Sequence, residues 1–335
     1  MQHEIIDEVE QSPKRGMHYL VLGVKLSLSV GLVVYLATYF DFEEIVKGVA
    51  EFPLWSVVAA FAVLFGQVSV NALRCSRILV FFDYAKRWLT VFRITWVGFF
   101  YAQTMISFVG GDSMRIWQFT RRQLPFKVAA EVVLMDRISG MVVQLTFMIL
   151  SLPVMLFWVE DISKKVVLLL LCLAGIVGLV CLAFFRRIPA VVASKYRLIR
   201  AVGKMSDNVF YLLNNKRLSV QVLFLSSVIV LMNVTVIYTF SQAIGIGISY
   251  WEILVLTPSV FFLSMMPISI AGWGVRESAM AAAFTVVGVP VSQTILVSVA
   301  YGMTLLLVSL PGSLLLFSKS DLNSGKKKDV TSVAG

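Results

Sequence analysis

The chain has 335 residues, of which 59% are hydrophobic and 14% charged, with a formal net charge of +10 and a mean hydropathy of +0.86. That is more apolar surface than a soluble core of this size needs, which excludes a soluble enzyme or a nucleic-acid-binding domain and leaves an all-α polytopic membrane protein. Cys75, Cys172 and Cys181, with His3 and His18 as the two histidines, offer no disulfide framework, no His-based triad and no metal site, so no cofactor is expected.

Residues 1–18 are polar and of mixed charge, and the apolar run behind them is too long for a signal-peptide core, so they are expected to stay attached as a cytoplasmic segment. Apolar spans then read at 19–40, 53–73, 94–109, 138–158, 166–185, 220–244, 251–266, 278–289 and 291–317. The runs at 166–185 and 291–317 carry no charge, and each is long enough to cross roughly 30 Å of hydrocarbon. The third, seventh and eighth spans are short.

Lysine and arginine gather at 14–15, 74–93, 115–127, 186–217 and 319–328, which together hold 23 of the 29 basic residues. Basic residues are retained on the cytoplasmic side, so all five clusters and both termini are expected there. That expectation decides how the short spans run. If 94–109 crossed completely, Arg121, Arg122 and Lys127 would lie outside. A re-entrant hairpin that enters from the cytoplasm, breaks at Gly110-Gly111 and leaves as a helix from Ser113 with Asp112 as its cap keeps them inside. In the second half, 251–266 descends from outside, breaks across Pro267, Gly272 and Gly274, and returns from Arg276. Two broken segments entering from opposite faces predict two inverted halves, 19–158 and 166–317, with the transport site between them.

Residues 186–219 read as a cytoplasmic connector between the fifth and sixth spans. Tyr196, Ile199, Val202, Met205, Val209 and Leu212 recur at helical spacing, as they would in an interfacial helix on anionic lipid or in a connector packed under the bundle. Residues 318–335 read as a basic cytoplasmic tail, and 19–317 as one transmembrane domain.

Ionisable groups within spans cost at least ~2.5–3.5 kcal/mol each on insertion scales, so they face the interior and are functional candidates. Asp112 and Arg115 lie at the first break, Arg276 and Glu277 at the second, and Glu131, Asp136 and Arg137 at the entry to the fourth span. Neighbours on a helix point about 100° apart, so Asp136 and Arg137 are expected to pair elsewhere: Arg137 with Asp112 or Glu277, Asp136 with Arg115 or Arg276. Arg115 and Arg276 are expected to face one cavity, where a guanidinium fork and a helix N-terminus suit a phosphate. Arg74, at the end of the second span, reads as a snorkelling arginine, and Asn233 as an interhelical hydrogen bond. Glu131 and Lys25 carry less: the first reads as a solvated carboxylate, the second as snorkelling or internally paired.

Gly110-Gly111-Asp112-Ser113-Met114-Arg115, Met135-Asp136-Arg137-Ile138-Ser139-Gly140 and Pro267-Ile268-Ser269-Ile270-Ala271-Gly272-Trp273-Gly274-Val275-Arg276-Glu277 resemble, in order and spacing, the membrane domain of lysylphosphatidylglycerol synthetases and its stand-alone flippase-like relatives. The resemblance runs from about residue 19 to 317. It implies a bundle with re-entrant helices that moves a lipid or a lipid-linked sugar between leaflets of a bacterial or archaeal cytoplasmic membrane, alone or as a homo-oligomer, with anionic phospholipid, polyprenyl-phosphate carrier and isoprenoid lipid all open as the substrate class. The aminoacylating members carry a soluble transferase domain after the membrane part; here the chain ends at Gly335 without one, so lipid aminoacylation is not expected. Two other functions stay open on the residues: a glycosyltransferase-like enzyme with Asp112, Asp136 or Glu277 as general base, and a non-catalytic scaffold.

Overall fold

Within hydrocarbon every backbone N–H and C=O needs a partner inside its own segment or in packed protein, so long apolar runs become helices. The computed structural model describes residues 48, 51–104, 109–184, 203, 206–207, 210, 214–265 and 272–315. They form helices α1 (Leu54–Phe81), α2 (Trp88–Thr104), α3 (Val109–Arg121), α4 (Phe126–Trp158), α5 (Ile162–Phe184), α6 (Lys216–Ala243), α7 (Tyr250–Ser264), α8 (Val275–Phe284) and α9 (Val291–Leu314), with a 3-10 turn at Thr285–Val287 and no strand among the described residues. Helices α1, α4, α5, α6 and α9 are long and apolar enough to cross a membrane. The expected span at 19–40 with Lys25, most of the connector 186–219, Pro267 and the tail 318–335 lie outside the described residues.

The centre of the bundle is the pair α1 and α6. On α1 the buried residues Ala60, Leu64, Val68, Ala72, Cys75 and Leu79 fall at spacings of three and four, one stripe of a helix, in the same core as Val222, Val234 and Ile237 of α6. Around this pair the same neighbours occur twice. Helix α2 packs on α3 as α7 does on α8, α3 on α4 as α8 on α9, α1 on α2 as α6 on α7, and α2 on α9 as α7 on α4. Helix α5 packs on α4 and leaves Leu170, Leu173 and Val177 exposed on its outer face.

Four helix ends repeat as well. Tyr84 N donates to Leu79 O (3.0 Å), Leu124 N to Phe119 O (3.2 Å), Ile246 N to Ser241 O (2.9 Å) and Val289 N to Phe284 O (3.2 Å). Each follows a residue of positive φ: Asp83 (61°), Gln123 (70°), Gly245 (75°) and Gly288 (79°). These are left-handed caps that satisfy the last carbonyls of α1, α3, α6 and α8 with its 3-10 extension.

Two expectations need correction. Helix α3 begins at Val109 rather than Ser113, so Gly110, Gly111 and Asp112 belong to its first turn and Asp112 is not the cap. The physical reason is contact: a Cβ at Gly111 would stand 2.5 Å from the Gly98 carbonyl oxygen and 2.8 Å from Ala102 Cβ, so the glycine lets α3 lie directly on α2. Helix α1 runs on to Phe81, eight residues past the apolar run read at 53–73, which carries Arg74 into the bundle.

Candidate functional site

A cavity of about 310 Å³ opens between α1, α2, α4 and α6 and reaches α3, α7 and Gly272. Asp112, Arg115, Asp136 and Arg137 all line it, together with Arg74. These five charges form one alternating chain. Arg74 Nε donates to Asp136 Oδ1 at 2.8 Å, Arg115 Nη2 lies 2.9 Å from Asp136 Oδ2, Arg115 Nη1 lies 3.8 Å from Asp112 Oδ1, and Arg137 Nε donates to Asp112 Oδ2 at 2.7 Å. Arg74 and Arg115 are each 7% exposed and Asp136 is 2% exposed. Among the described residues these contacts join three guanidiniums and two carboxylates, with Arg74, Arg115 and Asp136 buried and Arg137 partly exposed.

Each member is positioned by its helix. Asp112 sits in the first turn of α3, where the helix dipole favours a carboxylate, and Arg115 is one turn on, its stem laid across Gly98: a Cβ there would collide with Arg115 Cγ and stand 2.8 Å from Cδ. Trp96 Nε1 donates to Val308 O at 2.8 Å and ties α2 to α9. Arg74 is clamped by Ser226 Oγ on α6 (3.0 Å) and by Asn71 Oδ1 (3.2 Å), one turn back on its own helix. The pairings of Arg137 with Asp112 and of Asp136 with Arg115 are those expected from the sequence.

Arg74 is the member that sequence reasoning missed. A snorkelling arginine would be exposed; this one is buried and shares Asp136 with Arg115. The available signal was Asn71 one turn earlier, a polar partner on the same helix face.

Some polar groups here have no partner among the described residues. Arg115 Nε has no hydrogen-bond acceptor, and Thr95 Oγ1 and Asp112 Oδ1, also on the cavity wall, have no hydrogen-bond partner, whereas Arg115 Nη2 is met by Asp136 Oδ2 at 2.9 Å. Buried groups left like this are costly unless something else meets them.

Arg276 and Glu277 are elsewhere. They are 3% and 2% exposed and do not line the cavity, so the expectation that Arg276 and Arg115 face one cavity is corrected. Their charges close on each other: Arg276 Nη2 donates to Glu277 Oε1 at 2.7 Å, and Glu277 Oε2 folds back to accept from Gly274 N at 2.6 Å. Ser298 Oγ donates to Glu277 Oε1 at 3.0 Å. Gly272 and Gly274, at φ 81° and 83°, adopt the left-handed backbone that this return requires. The Arg276 guanidinium lies 5.0 Å from the Trp273 ring and 5.3 Å from that of Tyr301. Tyr301 in turn donates to Asn233 Oδ1 at 2.9 Å, which also accepts from Gln67 Nε2 at 3.0 Å. Asn233 is thus an interhelical hydrogen-bonding residue, as expected, and it lines the cavity too.

The family model described as lysylphosphatidylglycerol synthase TM region matches residues 20–312. No curated protein matches the chain.

Proposed function

The chain belongs to the lysylphosphatidylglycerol synthase TM-region family, and from that membership together with the charge chain we propose that it is a membrane transporter carrying an anionic lipid or lipid-linked intermediate between leaflets. The observation that carries this reading is Arg115, buried on the wall of the cavity beside Arg74 and Arg137, with its Nε donor unmet among the described residues. A headgroup phosphate can meet that donor, and the planar guanidinium fork suits its paired oxygens. The acyl chains stay in lipid while the headgroup moves through the cavity.

The recurring neighbours and the four matching left-handed caps support two structurally related halves, and the distribution of basic residues supports their opposite orientation, with both termini cytoplasmic. An enzymatic reading is less well supported. A general base needs a carboxylate able to take a proton, and Asp136 has both oxygens on arginines while Asp112 is held by Arg137 and Arg115.

The test is translocation of a labelled anionic phospholipid in proteoliposomes containing the full chain. Wild-type protein is expected to move it with no new lipid product, and Arg115→Gln is expected to abolish movement while the protein remains inserted. Unchanged movement with Arg115→Gln, or a chemically altered lipid, would overturn the reading.

A further inference from the structure

The cavity wall has a second, uncharged part. Gln67, Asn71 and Arg74 lie on successive turns of one face of α1, with Gln67 about 10 Å along the axis from Arg74 at 1.5 Å per residue. Opposite Gln67, on α6, stands Asn233. Asn233 Oδ1 already accepts two hydrogen bonds, from Gln67 Nε2 and Tyr301 Oη. Among the described residues, nothing accepts from Asn233 Nδ2 and nothing donates to Gln67 Oε1.

That leaves a donor and an acceptor side by side at one end of the cavity, and at the other the spare donors Arg115 Nε and Thr95 Oγ1 beside one spare acceptor, Asp112 Oδ1, which lies 3.8 Å from Arg115 Nη1. The two ends ask for different chemistry. A phosphate oxygen only accepts and an ammonium only donates, whereas a hydroxyl does both. The carboxamide end is therefore complementary to hydroxyl groups, and the guanidiniums of Arg74, Arg115 and Arg137 along the wall disfavour a cationic headgroup. Phe261 also lines the cavity, its ring 5.5 Å from that of Tyr301, and gives the carboxamide end an apolar face against which the C–H side of a ring can lie.

Resting on the transport reading above, we infer that the substrate is a phosphodiester lipid with a neutral, polyhydroxylated headgroup of about one sugar-sized ring. Arg74, Arg115, Arg137 and Thr95 hold the phosphate; Gln67 and Asn233 hold headgroup hydroxyls. Gln67 stands near the middle of the 28-residue α1, so the headgroup lies deeper than the phosphate, as it does in a lipid that enters head first.

The full chain in nanodiscs separates the two claims with three lipids of matched acyl chains: phosphatidylinositol, phosphatidylmethanol and phosphatidylcholine. Phosphatidylinositol and phosphatidylmethanol carry the same charge, but only the first has headgroup hydroxyls. Wild-type protein is expected to bind phosphatidylinositol about tenfold or more tightly than phosphatidylmethanol, and both more tightly than phosphatidylcholine. Asn233→Leu and Gln67→Leu are expected to bring the ratio between the two anionic lipids to about one. Equal binding of the two by wild-type protein would overturn the hydroxyl inference and leave the anionic-transport reading in place. No preference for either over phosphatidylcholine would overturn both. The wild-type comparison decides the matter even if a leucine variant does not fold.

Discussion

The two broken segments have the same sequence pattern, a serine, then glycines, then an arginine, and the fold uses them differently. In the first, Arg115 reaches outward to Asp136 on another helix and back to Asp112, and all three line the cavity. In the second, Arg276 turns on its own neighbour Glu277, packs between Trp273 and Tyr301, and does not line that cavity. An arginine beside a helix break is available to a ligand only when its countercharges are too few or too badly aimed to satisfy it. The first segment meets that condition and the second does not, which supports the proposal that the first binds and the second is structural.

The largest expected effect that sharpens this contrast comes from Asp136→Ala. It strips a carboxylate from two buried arginines at once, and a loss of about 3–5 kcal/mol is expected in thermal unfolding of the detergent-solubilised protein. A loss below about 1 kcal/mol would mean that the charge chain does not hold the helices together. Next come the two glycines that make room for the arginines. A Cβ at Gly98 would collide with the Arg115 stem, and one at Gly302 would meet the Arg276 guanidinium and stand 2.9 Å from Trp273 Cη2. Gly98→Ala and Gly302→Ala are each expected to cost about 1–3 kcal/mol, but only Gly98→Ala should lower lipid affinity in the protein that remains folded. Equal losses of affinity would erase the distinction.

Lysine substitution probes availability directly. Arg115→Lys keeps the charge and loses the bidentate fork, so about a tenfold weaker binding of an anionic lipid is expected. Arg276→Lys is expected to change that affinity less than about twofold, as read in the same nanodisc assay. The smallest effect belongs to Arg121, whose guanidinium lies 4.6 Å from the exposed Trp117 ring at the outer end of α3. Arg121→Gln is expected to cost no more than about 0.5–1 kcal/mol; a larger loss would mean that cation–π contact matters as much on the surface of the first hairpin as in the core of the second.

Much of this was legible in the sequence because hydrocarbon punishes errors strongly. The helical spans followed from apolar length, and the partners of Asp136 and Arg137 followed from helix geometry, which turns neighbours apart. The same geometric rule failed at Arg276 and Glu277. They lie in the first turn of α8, where Glu277 folds back to Gly274 N and brings its second oxygen within 2.7 Å of Arg276; that return depends on the backbone of Gly274, which spacing does not reveal. Arg74 was misread for a different reason. A charge ends an apolar run, yet the helix continues through buried Cys75, Ile78 and Leu79, so the run's edge was mistaken for the membrane's. The atoms of Arg115, Thr95, Gln67 and Asn233 that have no hydrogen-bond partner among the described residues are matters of side-chain direction, and no sequence pattern encodes them.

The central claim is that lipid headgroups meet the first hairpin's charges and not the second's. Photolabelling tests it most directly: an anionic phospholipid bearing a diazirine in its headgroup is activated with the protein in membranes, and the adducts are mapped by mass spectrometry. Adducts on peptides containing residues 64–74, 95–103 and 226–233 are the expected result. Adducts confined to residues 273–302, around Arg276 and Glu277, would contradict the account.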